Sequence, residues 1–347
     1  MIRVDTTKIY AFGDAIIDIE YKSFKEHTEK EDGKTEIYYE KKNTGIPGLK
    51  SIVYKKRQEK FILELSSKIL LDDYYNMITI DTVERVFDTI NSSGIIKVNN
   101  SKIDQFFVYS LDVTQNIDAS VIMNDCTPGK LINACSTLTN DKYTPDRYKG
   151  KGEDKYRTGI VWKTHLKENN ERLIIYDKET EINRSNKGDK VSRLFWNNVS
   201  RPDVLRNKFK NIVRPEMNIR SKDRMREYLK TDNFIQILQS TETPLYNQFS
   251  KVKRYDYNQM KIFDDFIGWK LYQIEKRFGR ETIIKIFNCD IELIYGFLRQ
   301  ILPTGNISRY KREYSELLTE MQMTKDVGVS LTKQIIENFQ EQLKMAI

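Results

Sequence analysis

The stretch Leu173-Ile174-Ile175-Tyr176-Asp177-Lys178-Glu179-Thr180-Glu181 reads as a short apolar strand that brings one tyrosine and one lysine to the same face. Residues two apart in an extended strand point the same way. Tyr176 and Lys178 therefore share a face, while Leu173, Ile175 and Asp177 take the other. A phenol beside an ammonium can be a plain sheet surface. It can also be a nucleophile with an anion-holding neighbour. Upstream, Thr158 to His165 forms a second strand, and the two make a hairpin around Glu168-Asn169-Asn170.

Three further segments place a single acid between apolar neighbours. They are Phe61-Ile62-Leu63-Glu64-Leu65, Tyr109-Ser110-Leu111-Asp112-Val113-Thr114 and Ile212-Val213-Arg214-Pro215-Glu216-Met217-Asn218-Ile219. Alternation buries the flanking residues and turns each carboxylate to the opposite face. As sheet neighbours, these strands would bring Glu64, Asp112, Glu216 and Tyr176 to one patch. Oxygen-only ligands of this kind suit Mg²⁺ or Mn²⁺ rather than zinc. Proline lacks a backbone donor, so Pro215 marks its strand as an edge strand or a locally irregular one.

Other chemistries lack their residues. Only His27 and His165 are present, so a paired-histidine metal site is absent and metal catalysis falls to carboxylates. Cys126, Cys135 and Cys289 have no CxxC spacing, which argues against a disulfide framework or a zinc module. No GxxxxGK[ST] phosphate loop and no serine or cysteine elbow occurs. No apolar run approaches a membrane span, and Met1-Ile2-Arg3-Val4-Asp5 lacks a signal-peptide core. A cytoplasmic protein with no membrane partner is expected.

The net charge of +8 is uneven. Arg201 to Lys230 holds ten Lys or Arg against four acids, and Asp141 to Lys167 holds eight against four. The second stretch interleaves Tyr143, Tyr148 and Tyr156 with Pro145, Gly150 and Gly152. Such charge suits a nucleic-acid backbone and unstacked bases, although a solvated basic loop has the same look. Arg214, Arg220 and Lys222 in one stretch and Lys149 and Lys151 in the other are the expected DNA contacts.

Along the chain, Ile37 to Glu40, Ser51 to Lys55, Lys60 to Ser66, Gln105 to Thr114 and Asn211 to Ile219 read as strands. Thr79 to Ile90 reads as a helix with Asp81 as a possible cap, and a second helix runs from Pro128 to about Leu138. Thr139 to Gly152 reads as a loop. From about Asp232 the pattern is helical. The expected fold class is α+β, an antiparallel sheet with helices packed on one face and then an all-α C-terminal region. Residues 1–230 would form the catalytic domain and 231–347 the helical one.

The order of Glu64, Asp112, Tyr176-x-Lys178 with Glu181, and Val213-Arg214-Pro215-Glu216 before a basic helix resembles the gene II/X family of phage and plasmid replication proteins. More distantly it is similar to plasmid initiators with a Tyr-Asp-Lys-x-x-Glu strand. The resemblance covers roughly residues 55–230, and Pro215 stands where the family has an aromatic. It implies a rolling-circle nickase in which Tyr176 is the nucleophile and Asp112 and Glu216 are acidic ligands. It also implies origin DNA, host helicase and DNA polymerase as partners in the cytoplasm of a bacterial host. Lys178 would lower the phenol's pKa and hold a nonbridging oxygen. Glu181 reaches such a site only if the strand ends before it. A transfer relaxase and a non-enzymatic origin-binding protein remain alternatives. The nickase requires a Tyr176 that DNA can reach, on the same sheet face as Asp112 and Glu216.

Overall fold

Residues 1–31, 34–135, 138–139, 143–147, 159–164, 172–184, 190–254, 270–287, 291–323 and 329–345 are described by a computed structural model. Its strands are β1 (Val4–Phe12), β2 (Ile16–Ile19), β3 (Lys25–Glu31), β4 (Lys34–Lys42), β5 (Leu49–Lys55), β6 (Lys60–Ser66), β7 (Ile96–Val98) and β8 (Phe107–Thr114). There follow β9 (Ile117–Asp118), β10 (Leu138–Thr139), β11 (Tyr143–Arg147), β12 (Gly159–Thr164), β13 (Arg172–Asp177), β14 (Ile212–Ile219) and β15 (Lys253–Arg254). Eleven of them form one sheet in the order β11-β12-β13-β14-β8-β1-β6-β5-β4-β3, with β9 beside the start of β14. Every pairing in it is antiparallel.

Apolar alternation decides which face is core. Ile9 and Ala11, Leu63 and Leu65, Leu111 and Val113, Leu173 and Ile175, and Met217 and Ile219 are all buried in the main core. Helices Val83–Ser92, Pro128–Cys135, Phe234–Gln239, Pro244–Phe249 and Val329–Met345 contribute their apolar stripes to the same core. The α+β class read from the sequence is therefore the observed one. The helices are not confined to one face as expected, because a smaller group covers part of the opposite face. The 3-10 segment Ser67–Asn76 and helices Lys178–Arg184, Lys190–Asn198 and Pro202–Lys208 pack Tyr74, Ile182, Phe195, Leu205 and Phe209 together. All eight residues of β14 are buried as a result.

Several elements differ from the sequence reading. The first long helix starts at Val83, because the Thr82 hydroxyl accepts the Thr79 N–H and donates to the Met77 carbonyl, both at 2.8 Å; Asp81 does not cap it. Part of the expected basic loop, Tyr143–Arg147, is a strand paired to β12. Pro215 is not on an edge: β14 lies between β13 and β8. Its carbonyl accepts from the Gln115 N–H at 3.2 Å, where the chain passes from β8 to β9 and β14 changes partner. In a β-strand a residue's N and O point to the same edge, so the missing donor falls where that ladder is already interrupted.

The helical half also divides differently. Phe234, Leu238, Phe249, Ile335, Phe339 and Leu343 belong to the sheet's core. A separate apolar cluster joins Leu271, Ile274, Ile284, Phe287, Phe297, Leu298 and Tyr314. The boundary at residue 231 thus cuts through the main core. Among the described residues no helix is long and apolar enough to cross a membrane.

Candidate active site

β13 and β14 are antiparallel neighbours with Tyr176 opposite Arg214 and Ile174 opposite Glu216. β14 and β8 then place Asn218 opposite Asp112, and β8 and β1 place Asp112 opposite Thr6. Directly opposed residues share a face, so Tyr176, Arg214, Glu216 and Asp112 all stand on the face away from the main core. The Tyr176 hydroxyl donates to Glu216 Oε1 at 2.6 Å.

The strand carrying Tyr176 ends one residue later. Asp177 accepts the Thr180 N–H at 3.0 Å and the Thr180 hydroxyl at 2.7 Å, which caps the helix Lys178–Arg184. Lys178 is thus helical rather than part of the strand. Its Nζ stays 5.5 Å from the Tyr176 ring centroid and pairs with Glu181 at 2.7 Å. Glu181 reaches the neighbourhood because the strand has ended, but it faces Lys178.

Arg214 is fully buried, with Nε donating to Asn116 at 2.9 Å and Nη1 to the Tyr74 hydroxyl at 3.3 Å. Nη1 also lies 3.5 Å from Asp5. Its Nη2 is buried with no hydrogen-bond partner among the described residues. Buried donors are nearly always paired, so such a group asks for an explanation. Arg214 is buried, so it is not the surface DNA contact expected of it; only a phosphate admitted to the Tyr176 site would meet its guanidinium. Arg220 remains half exposed but is tied to Asp112 at 3.1 Å. Lys222 is half-buried and donates to the Tyr10 hydroxyl. Lys149, Lys151 and His165 lie outside the described residues.

Asp5 was missed by the sequence reading. The register between β1 and β8 slips between Val4 and Thr6, so Asp5 is an extra residue on β1. A bulge re-aims its side chain, and Asp5 joins Arg214, Lys178 and Ser67 on the Tyr176 face. The signal was in the sequence. Val4 and Ile9 are both core residues at an odd separation, which strict alternation forbids.

Burial and repulsion set the charge states. Burial, then Asp5 and Asp112, push the Glu216 carboxyl up to about 7 against the pull of Arg214 and Lys178. Burial and Asp5 push Asp112 up to about 6. Burial also opposes ionisation of Asp5, but Arg214, Lys178 and the Ser67 hydrogen bond together hold it below the usual carboxylate range. The Tyr176 phenol is pushed well above its ordinary value by burial and by Glu216, with Arg214 opposing. Lys178 therefore does not leave the phenol with a lowered pKa.

The four-carboxylate metal set does not assemble. Glu64 shares the face, but it lies on β6, beyond β1 from Asp112, and pairs with Lys50 at 3.4 Å. Among the described residues no three His, Cys, Asp or Glu side chains are grouped to hold a metal ion. Asp112 and Glu216 remain: an all-oxygen pair whose mutual repulsion a divalent cation would relieve. Mg²⁺ commonly binds through one or two carboxylates plus water and substrate phosphate. Asp112, held by Arg220 and Asn218, and Glu216, held by Tyr176, are the two of the four that repel each other and could be offered to such an ion; Glu64 and Glu181 do not fit.

The phenol and the acids share a face. Of the two requirements the nickase set, the shared face is met and reach is not: Tyr176 is buried, 3% exposed and packed with Val161 and Ile174.

No family model and no curated protein matches the chain, so the gene II/X resemblance finds no support there. A solved structure of a rolling circle replication initiator protein from Geobacillus stearothermophilus is similar at 10% identity and a TM-score of 0.32, covering 98% of this chain and 95% of that one. A likeness of that size says nothing of what this chain does. The site's own geometry must.

Proposed function

We propose that this chain is a DNA-nicking replication initiator in which Tyr176 is the nucleophile and Glu216 its general base. The observation that carries the reading is the 2.6 Å hydrogen bond from the phenol to Glu216, with Arg214 opposite Tyr176 in register and its Nη2 without a hydrogen-bond partner among the described residues. A nucleophile hydrogen-bonded to a base is the minimal activated pair. A carboxyl raised to about 7 is poised to take a proton near neutrality. The spare guanidinium donor beside it suits a nonbridging phosphate oxygen, with the fixed positive charge already in place.

The step is a phosphoryl transfer. Tyr176 Oη bonds to phosphorus and its proton passes to Glu216. The bond from phosphorus to the 3′ oxygen breaks, leaving a 5′-phosphotyrosine and a 3′ oxygen that takes a proton from solvent. A Mg²⁺ or Mn²⁺ ion held by Asp112 beside Glu216 would supply polarisation of the phosphate, and Glu216 acts as the base only with its carboxylate off the metal. Since Tyr176 is covered, the phosphodiester reaches it only after the side chains over the phenol move aside.

That burial also favours a second reading: an origin-binding protein with no cleavage, in which the Tyr176–Glu216–Arg214–Asp5 network is structural. Wild type and Tyr176→Phe, each with Mn²⁺ and a labelled single-stranded DNA pool of randomised sequence, separate the two. The nickase reading expects cleavage by wild type and none by Tyr176→Phe. Equal cleavage by both refutes the assignment, and no cleavage by either supports the binding protein. Glu216→Gln should slow cleavage by roughly 10²–10⁴-fold, the usual worth of a positioned base.

A further inference from the structure

The same sheet face carries a second constellation beyond Asp112. Along β1, Thr6, Lys8, Tyr10 and Phe12 alternate onto it, and Thr6 is opposite Asp112. Tyr10 is opposite Phe107, and the register slip between Lys8 and Ile9 leaves Tyr109 as the extra residue on β8. That second bulge turns Tyr109 toward Tyr10, with ring centroids 4.5 Å apart. Phe107 stacks on Tyr10 at 5.7 Å and Phe12 meets it edge-on at 5.6 Å. Four aromatic rings from two strands therefore form one cluster.

Three lysines crown it. Lys60 Nζ lies 4.5 Å from the Tyr10 ring, 4.7 Å from Tyr109 and 5.5 Å from Phe12. Lys222, at the start of the helix Lys222–Leu229, lies 4.6 Å from Tyr10, and Lys8 lies 5.9 Å from Tyr109. Among the described residues none of the three is in an ion pair, whereas the face's carboxylates Glu64 and Asp112 are held by Lys50 and Arg220. Tyr10 is buried beneath the cluster, Phe107 and Tyr109 are half-buried, and Phe12 is 48% exposed. A core has no use for three uncompensated ammonium groups. A solvated charged face has no use for four clustered rings.

We propose that this cluster is a stacking platform for single-stranded DNA, with Phe12, Phe107 and Tyr109 taking bases and Lys8, Lys60 and Lys222 taking the phosphates between them. Every base has a π-face and every linkage an anion, so rings interleaved with cations match an unpaired strand. A duplex hides its base faces and does not match. Thr6 to Tyr10 spans about 14 Å along the strand, a few nucleotides from Asp112. Only this last point rests on the nickase reading: a strand on the platform would run toward Tyr176 across Asp112 and Glu216.

The test is equilibrium binding of the full chain to a labelled oligothymidylate, and to a duplex of the same length, without divalent cation. Fluorescence anisotropy should show the single strand bound more tightly than the duplex. The double variant Phe107→Leu/Tyr109→Leu keeps apolar bulk and loses the π-faces, and should bind at least about tenfold more weakly. Phe12→Ala, at a half-exposed position that folding tolerates, should weaken binding several-fold. Lys60→Ala should reduce the slope of log affinity against log salt by about 0.7. Unchanged affinity in Phe12→Ala and in a folded leucine double variant overturns the proposal, as does equal or tighter binding of the duplex. Binding is read without cleavage, so a Tyr176 that proves inert leaves this test standing.

Discussion

Glu216 makes the sharpest prediction at the scale of single residues. Its carboxyl is raised from the unfolded value to about 7, chiefly by burial. The folded state therefore holds its proton more tightly than the unfolded chain does. That contribution to stability is complete below the unfolded value and is lost as pH rises through about 7. Glu216→Gln removes the titration. At pH 8 it should melt above wild type, and the advantage should shrink as pH falls through 7 toward the ordinary carboxylate range. A difference independent of pH would show that Glu216 does not titrate there. Activity should move oppositely in wild type: a base works ionised, so cleavage should fall as pH drops below about 7. Arg214 separates structure from DNA contact. Arg214→Met leaves Asp5, Asn116 and Tyr74 without their buried guanidinium and should cost about 3–5 kcal/mol in denaturant unfolding. A variant with wild-type stability and weakened DNA binding would restore Arg214 to the surface role that its position suggested.

At the scale of elements, β13 depends on its neighbour. Gly159 on β12 is opposite Tyr176. A Cβ there would lie 2.5 Å from the Ile175 carbonyl oxygen and 2.6 Å from Tyr176 Cβ, so backbone must shift to admit it. Gly159→Ala should destabilise by about 1–3 kcal/mol and lower the cleavage rate by misplacing the phenol. Unchanged melting and unchanged cleavage would mean that the close approach is not felt. Strands of this kind were legible from sequence wherever alternation was clean. Leu63/Leu65, Leu111/Val113 and Val213/Met217 gave the faces of β6, β8 and β14 correctly. Alternation failed where an extra residue resets the phase, at Asp5 and at Tyr109, and each bulge turns a side chain that the sheet face uses. The end of β13 was legible too, had Asp177 been read as a helix cap with Glu179 and Glu181 in the first turn.

For the molecule as a whole, sequence clustering of charge proved a poor guide to free charge. In the most basic stretch, Arg214 is buried, Arg224 pairs with Glu227, Arg226 with Asp232 and Arg220 with Asp112. Of the three lysines of the aromatic cluster, which are in no ion pair among the described residues, only Lys222 belongs to that stretch; Lys8 and Lys60 come from positions that no local window joins to it. The same holds for the helices. Amphipathic periodicity marks the helix Val329–Met345 but cannot say that Ile335 and Phe339 return to the sheet's core. These are long-range pairings, fixed by topology rather than by local pattern. The hydrogen bond between Tyr176 and Glu216, proposed above as the reacting pair, is itself one of them. The most direct test of that pair is to incubate the full chain with Mn²⁺ and a randomised single-stranded DNA pool, recover protein bearing an SDS-stable DNA adduct, digest it and locate the modified residue by mass spectrometry. A single 5′-phosphotyrosine at Tyr176 is expected. No adduct, or one attached to another residue, would contradict it.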